Sequence, residues 1–173
     1  MAPGQGIFAH REPDGTLHTY VALQRPLDWI AGVEASGPAA LGRIAREFEG
    51  WAPALTALIT DGETAPVFRP IHALPAGHRW QRTPGVTLLG DAAHLMAPAG
   101  DGANLAMLDG AALGQAIAAN PGDTETALAA YEEDMFPRSA HAAAGADEVL
   151  QACLGEDAPR SLVDFFDSAF STQ

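Results

Sequence analysis

The sequence contains no lysine and only one cysteine among its 173 residues. Its nine basic residues, all arginine, face 22 acidic residues, which gives a formal net charge of −13 at pH 7. This acidic excess argues against binding to nucleic acid or to an anionic membrane surface, because both are negatively charged. The single cysteine, Cys153, rules out an internal disulfide and is compatible with a reducing compartment. We therefore expect a cytoplasmic protein.

Several familiar sequence signals are also missing. No apolar run is long enough to cross a bilayer, and no secretory signal is recognisable. The sequence has no Gly-x-Ser-x-Gly nucleophile elbow, no P-loop and no His-Glu-x-x-His spacing, so we predict no metal site. Hydrophobic residues make up 47% of the chain and charged residues 18%, which is typical of a globular protein.

The most informative stretch runs from Val86 to Gly110. It begins with the apolar, β-favouring segment Val86–Leu89, which has the pattern of a short buried strand in a parallel sheet. A loop of small residues follows over 97–102, and helical spacing begins at Ala103. A strand, a glycine-rich loop and a helix in this order direct free backbone N–H groups and the positive end of a helix dipole towards a ligand.

Within this stretch, one pattern combines a five-residue segment with single residues at fixed spacing: Gly90-Asp91-Ala92-Ala93-His94, Pro98, Gly100, Gly102, Asn104 and Asp109. The pattern resembles the second flavin-binding motif of FAD-dependent aromatic hydroxylases. These are the para-hydroxybenzoate hydroxylase-like class A flavoprotein monooxygenases, and the similarity is greatest to the tetracycline-inactivating branch. Many members have one more residue between the proline and the second glycine than this chain has.

The resemblance implies a set of FAD contacts, in which the carboxylate of Asp91 accepts hydrogen bonds from ribityl hydroxyls. The alternative is that Asp91 only caps the turn over 92–94. His94 is expected to be structural. No acid or base of this chain need be catalytic, because the flavin carries the oxygen chemistry. The implied contacts are Gly90, Asp91, Pro98, Gly100, Gly102, Ala103 and Asn104.

The implied function is that of the C-terminal portion of a flavin-dependent monooxygenase. Such an enzyme hydroxylates an aromatic or polyketide-like small molecule with FAD, NAD(P)H and O2. Two alternatives stay open: a flavin-free binding or cyclase-type domain on the same scaffold, and a non-catalytic half that completes a separately encoded partner.

The Gly-x-Gly-x-x-Gly motif that binds the pyrophosphate of FAD is absent from the sequence. Because Val86–Leu89 is apolar throughout, we expect it to need neighbouring strands that this chain cannot supply. The expected partner is an N-terminal flavoprotein half, or a second copy of the chain through self-association.

The predicted fold class is mixed α/β, a partial FAD/NAD(P)-binding fold with an antiparallel sheet and long C-terminal helices. A β-hairpin is predicted over 6–23, a returning strand over Ala65–Leu74, and a kink or restart of the C-terminal helix at Pro137. In the resembled family, such a hairpin sheet forms the floor of the substrate pocket; the alternative is an antiparallel sheet with one face in solvent. The predicted divisions are 1–78 (substrate-binding part), 79–122 (FAD-binding part) and 123–173 (C-terminal helices).

Overall fold

The fold is mixed α/β, with one antiparallel hairpin and long C-terminal helices, which confirms the predicted fold class. The computed structural model describes residues 1–170, with side chains up to Ser168. No helix in this part of the chain is long and apolar enough to cross a membrane. In chain order the elements are β1 (Gln5–Arg11), β2 (Leu17–Leu23), α1 (Leu27–Glu34), α2 (Ala40–Ala45), α3 (Pro53–Thr60), α4 (Asp91–His94), α5 (Gly102–Ala119), α6 (Thr124–Leu154) and α7 (Arg160–Phe170).

The chain divides into two compact units. The first consists of Met1–Pro70 together with the chain from Gln151 onward, and the second is Ile71–Leu150. The functional division at residues 78 and 122 stays a prediction.

The hairpin of the first unit forms as predicted, with β1 and β2 antiparallel and Phe8 opposite Tyr20. Because side chains alternate across a strand, Ile7, Val21 and Leu23 share the face that packs against the core. Leu17 has the same place in the alternation of β2, but it is exposed near the tip of the hairpin.

The core of the first unit is supplied by the short helices that follow the hairpin. Trp29 and Trp51 are partly buried and pack against this core. The ring of Phe48 meets Trp51 edge to face, with centroids 5.0 Å apart. The buried members of the core are Val33, Ala40, Ile44, Phe48 and Ile59.

Two predicted strands do not form. The segment Ala65–Leu74 is not part of a sheet, and Pro66 and Pro70 within it have no N–H to donate to a ladder. The prediction that Val86–Leu89 is a buried strand is also wrong for this chain: Val86 is 53% exposed and Leu89 is 40% exposed. No described residue of the second unit forms a strand beside it, and a ladder requires a partner.

The predicted interruption at Pro137 is not a restart, because α6 runs through this residue from Thr124 to Leu154. Pro137 has no N–H to donate within the helix, and it lies at an exposed position of α6. Asp123 caps the start of α6, because its side chain accepts a hydrogen bond from the N–H of Thr126 at 3.1 Å.

Replacing Phe48 by alanine should lower the free energy of unfolding by roughly 3–5 kcal/mol, because the change leaves a cavity in a packed core. The matched control is Phe8→Ala, since Phe8 is 57% exposed on the outer face of the hairpin. Urea denaturation of both variants measures the difference. Equal losses would contradict the assignment of Phe48 to the core.

Candidate functional site

The turn at Gly90 opens the candidate site. Gly90 is buried and has φ 59° and ψ −144°, a conformation that residues with a side chain rarely adopt. A Cβ at this position would lie 3.1 Å from Cβ of Ala106. The carbonyl of Gly90 accepts hydrogen bonds from Ala93 and His94, so the same residue starts α4. Glycine therefore lets this turn lie directly against α5.

Asp91, the first residue of α4, is exposed, and its carboxylate has no hydrogen-bond partner among the described residues. No side chain caps α4, and Gly90 occupies the cap position. The interpretation of Asp91 as a turn cap is therefore wrong. Its carboxylate oxygens are left as free acceptors for a ligand that carries hydroxyl groups.

The loop before α5 leaves open space at the start of a long helix. Neither Gly100, with φ 104°, nor Gly102 would bring a Cβ within 4 Å of another residue. Asp101 holds the cap position without a side-chain hydrogen bond, and Leu105 N–H is the first amide to bond back, to Asp101 O at 2.9 Å. The amides over 102–104 thus have no acceptor within the described part of the chain, and the helix dipole adds positive potential there.

Behind the turn lies the buried carboxylate of Asp109, which is 1% exposed. Its Oδ2 accepts hydrogen bonds from Gly90 N at 2.9 Å and from His94 Nε2 at 2.6 Å. Its Oδ1 accepts from Arg138 Nη2 at 2.9 Å. Arg138 also donates to Asp134 on the surface at 2.6 Å. One carboxylate on α5 therefore joins the Gly90 turn, α4 and α6.

Burial alone would raise the pKa of the Asp109 carboxyl. Hydrogen bonds from Gly90, His94 and Arg138 outweigh that effect and hold the pKa below its ordinary value. For Arg138, desolvation lowers the pKa, but the carboxylates of Asp109 and Asp134 more than compensate and raise it. Asp109 is therefore ionised at neutral pH.

His94 has the structural role that its place in the motif predicts. It is buried, and its Nε2 bonds to Asp109. Its Nδ1 is also buried and has no hydrogen-bond partner within residues 1–170.

A second buried carboxylate holds the extended segment that leads into the turn. Glu132, which is 4% exposed, accepts hydrogen bonds from Trp80 Nε1 at 3.2 Å, Arg82 Nη1 at 3.0 Å and Thr87 Oγ1 at 2.7 Å. One residue earlier on α6, the hydroxyl of Tyr131 donates to the carbonyl of Leu88 at 3.2 Å. Side chains of α6 thus hold the segment Val86–Leu89 against that helix, although the segment has no neighbouring strand in the described chain.

The seven predicted FAD contacts lie in three places of the second unit. Gly90 and Asp91 form the turn, Pro98 and Gly100 lie in the loop, and Gly102, Ala103 and Asn104 begin α5. The structure brings Gly90 against Ala106, one turn after the start of α5, while the loop residues are mainly exposed. That these residues contact FAD stays a prediction.

Sequence reasoning missed Glu132 and Arg138. Each lies on a helix at a polar position and reaches a partner far away in the sequence. Of the residues in these two groups of hydrogen bonds around Asp109 and Glu132, the motif that resembles a flavin site includes only Gly90, His94 and Asp109.

The contribution of Asp109 to stability should depend on pH. Because its folded pKa is lowered, that contribution is complete above the unfolded carboxyl value of about 3.9 and is lost as the pH falls towards the folded value. At pH 7, Asp109→Asn should cost roughly 3–5 kcal/mol, since it leaves Arg138 without its buried partner.

Denaturation of the wild type and Asp109→Asn between pH 3 and 8 measures this difference, which should shrink below about pH 4. The control is Asp134→Asn, whose side chain is 72% exposed and which removes only the surface partner of Arg138. A difference that stays constant across the acid range would show that Asp109 is not held ionised in the folded protein.

Comparison with known proteins relates this part of the chain to FAD-binding proteins. The family described as FAD binding domain matches residues 75–146. A dual O-methyltransferase/FAD-dependent monooxygenase, elcB, of Phaeosphaeria nodorum is 40% identical over 80 residues, covering 44% of this chain. The chain spans 9% of that relative's length. Neither match distinguishes the tetracycline-inactivating branch. The part of the chain that holds the Gly90 turn, the glycine loop and α5 is thus similar to an FAD-binding domain.

Proposed function

We propose that this chain is the C-terminal portion of a flavin-dependent monooxygenase and that residues 90–104 hold the flavin head of FAD. The proposed enzyme uses NAD(P)H and O2 to hydroxylate an aromatic or polyketide-like small molecule. The match of residues 75–146 to an FAD binding domain and the monooxygenase name of the relative both support this proposal.

The observation that carries the proposal is the uncapped start of α5 beside an open glycine loop. Three free amides over 102–104 offer donors to a ligand that carries negative charge or carbonyl oxygens. Glycines at 100 and 102 leave the space beside them empty, so a flat ring system meets no side chain there. These features fit an isoalloxazine ring.

Each part of the turn and loop has a distinct role in this proposal. The Asp91 carboxylate accepts hydrogen bonds from ribityl hydroxyls, and Pro98 fixes the direction of the loop. The amides at the start of α5 stabilise negative charge on the bound ring, which is worth roughly 0.3–2 kcal/mol at a helix N-terminus. FAD itself supplies the redox chemistry, and the residues of this chain bind and orient it.

The outer face of the hairpin supports the aromatic-substrate part of the proposal. Phe8 and Tyr20 pair across the strands with ring centroids 6.1 Å apart. Next to them, His10 and His18 stack at 5.5 Å. Because Phe8 and Tyr20 are both more than half exposed, their rings can stack against a flat ligand.

Asp91→Asn should weaken FAD binding roughly tenfold to a hundredfold, because an anionic acceptor contributes about 1.5–3 kcal/mol per hydrogen bond. The control is Asp147→Asn, which replaces an exposed aspartate on α6. Fluorescence titration of each full chain with FAD measures the dissociation constants. Unchanged affinity in Asp91→Asn would remove this residue from the site. If the wild type fails to bind FAD, the proposed function is wrong.

We also propose that a protein half carrying Gly-x-Gly-x-x-Gly packs against Val86–Leu89. Three of the four side chains of Val86–Leu89 are exposed and apolar. Such exposure is unusual for a segment that hydrogen bonds from α6 hold in place on its other side. An extended segment with no ladder partner in the described chain can accept a neighbouring strand.

The chain purified alone should therefore bind the apolar dye ANS at this segment, and Leu88→Glu should reduce that binding because it places a charge on the exposed face. The control is Met107→Glu, which changes an apolar residue of α5 that is 67% exposed. ANS fluorescence measures dye binding by the wild type and the two variants, and sedimentation velocity measures whether each is a monomer or a dimer. A stable monomer that binds no dye would contradict the proposal, and a tight dimer disrupted by Leu88→Glu would identify a second copy as the partner instead.

A further inference from the structure

Asp109 belongs to the motif that resembles a flavin site, but no FAD contact is assigned to it. Its burial also separates it from the exposed residues Asp91 and Asn104. A carboxylate buried this deeply is costly unless hydrogen bonds and opposite charge compensate it. Its role must therefore act through the groups that surround it.

Those groups come from three segments and are all donors. Gly90 supplies a backbone N–H, His94 a ring nitrogen and Arg138 a guanidinium N–H. An ionised carboxylate is an acceptor only, so it can satisfy the three together. An asparagine of the same shape cannot, because its NH2 group would have to face at least one donor.

The hydrogen bond to Asp109 also determines which ring nitrogen of His94 carries a proton. An ionised carboxylate only accepts hydrogen bonds, so the contact of 2.6 Å between His94 Nε2 and Asp109 Oδ2 requires a proton on Nε2. In the neutral ring, Nδ1 is then the acceptor. Arg138 supplies the positive charge that balances Asp109.

Asp109 lies on α5 itself, seven residues after Gly102, which is about two helical turns or roughly 10 Å along the axis. Its bond to Gly90 N therefore connects the turn that carries Asp91 to the helix whose N-terminal amides are free. The Asp109 carboxylate thus adds a hydrogen bond between the two halves of the proposed flavin site, which also pack together where Gly90 lies against Ala106.

We propose that Asp109 is a positioning residue of the flavin site: its carboxylate fixes the Gly90 turn and the His94 ring, and so sets Asp91 at a constant position relative to the start of α5. This inference rests on the proposed function, because it assigns a role within that site. Arg138 assists by supplying the compensating charge from α6.

The test compares Asp109→Asn with Glu132→Gln. Glu132 is the matched control because it is buried in the same unit and accepts three hydrogen bonds, but it contacts neither the Gly90 turn nor a predicted FAD contact. Both variants should lower the melting temperature. Only Asp109→Asn should weaken FAD binding at least tenfold and alter the visible circular dichroism of the bound flavin.

A second readout needs no cofactor. In the wild type, NMR should show slow hydrogen exchange of the Gly90 amide and the Nε2–H form of His94. Asp109→Asn should speed that exchange at least tenfold and mix the two ring forms, while Glu132→Gln should change neither. If Asp109→Asn does not fold, Arg138→Gln provides the milder change, with an intermediate effect on Gly90 exchange.

Equal losses of FAD affinity in the two variants, or unchanged Gly90 exchange in Asp109→Asn, would overturn the inference. The failure of the proposed function gives a different result: the wild type would not bind FAD at all. The exchange of Gly90 and the ring form of His94 would still show whether Asp109 holds the turn.

Discussion

One buried carboxylate organises the second unit of this protein. Asp109 accepts hydrogen bonds from a glycine turn, a histidine on a four-residue helix and an arginine on a 31-residue helix. In a site of low dielectric these charge-assisted bonds are strong, and a missing partner is costly. The Gly90 turn, the start of α5 and the middle of α6 are therefore interdependent.

In the same unit, side chains of a helix hold an extended segment that has no neighbouring strand in the described chain. The segment that leads into Gly90 has no strand beside it in the described chain, but Glu132 and Tyr131 of α6 hold it through Thr87 and the carbonyl of Leu88. This support acts on one side only, and the apolar side chains of the segment remain exposed. A segment held in this way has a defined shape and an uncovered surface, which is a suitable state for accepting a partner.

Much of the fold follows from local rules. The turn residues and alternation of the hairpin, the cap at Asp123 and the apolar spacing of the helices each act within a few residues, so the sequence predicts them. The strands predicted at Ala65–Leu74 and Val86–Leu89 fail for a common reason: a strand needs a partner, and no local pattern can show whether one is present. The restart that was predicted as one outcome at Pro137 does not occur, because whether a helix continues past a proline depends on its surroundings in the fold.

In the candidate site, too, some features follow from neighbouring residues and others depend on long-range contacts. The sequence by itself determined the glycine turn, the loop of small residues and the helix predicted from Ala103, which begins at Gly102 in the structure. Glycine conformation and helix spacing are properties of neighbouring residues, so the sequence can specify them. Only the tertiary structure decided that the Asp91 carboxylate has no partner among the described residues and that Asp109 is buried and ionised. It also decided that Arg138 pairs with Asp109 and that Glu132 holds the segment before the turn. Arg138 lies 29 residues from Asp109, and Glu132 lies 45 residues from Thr87. Contacts over such separations depend on how α6 packs, which no local pattern specifies.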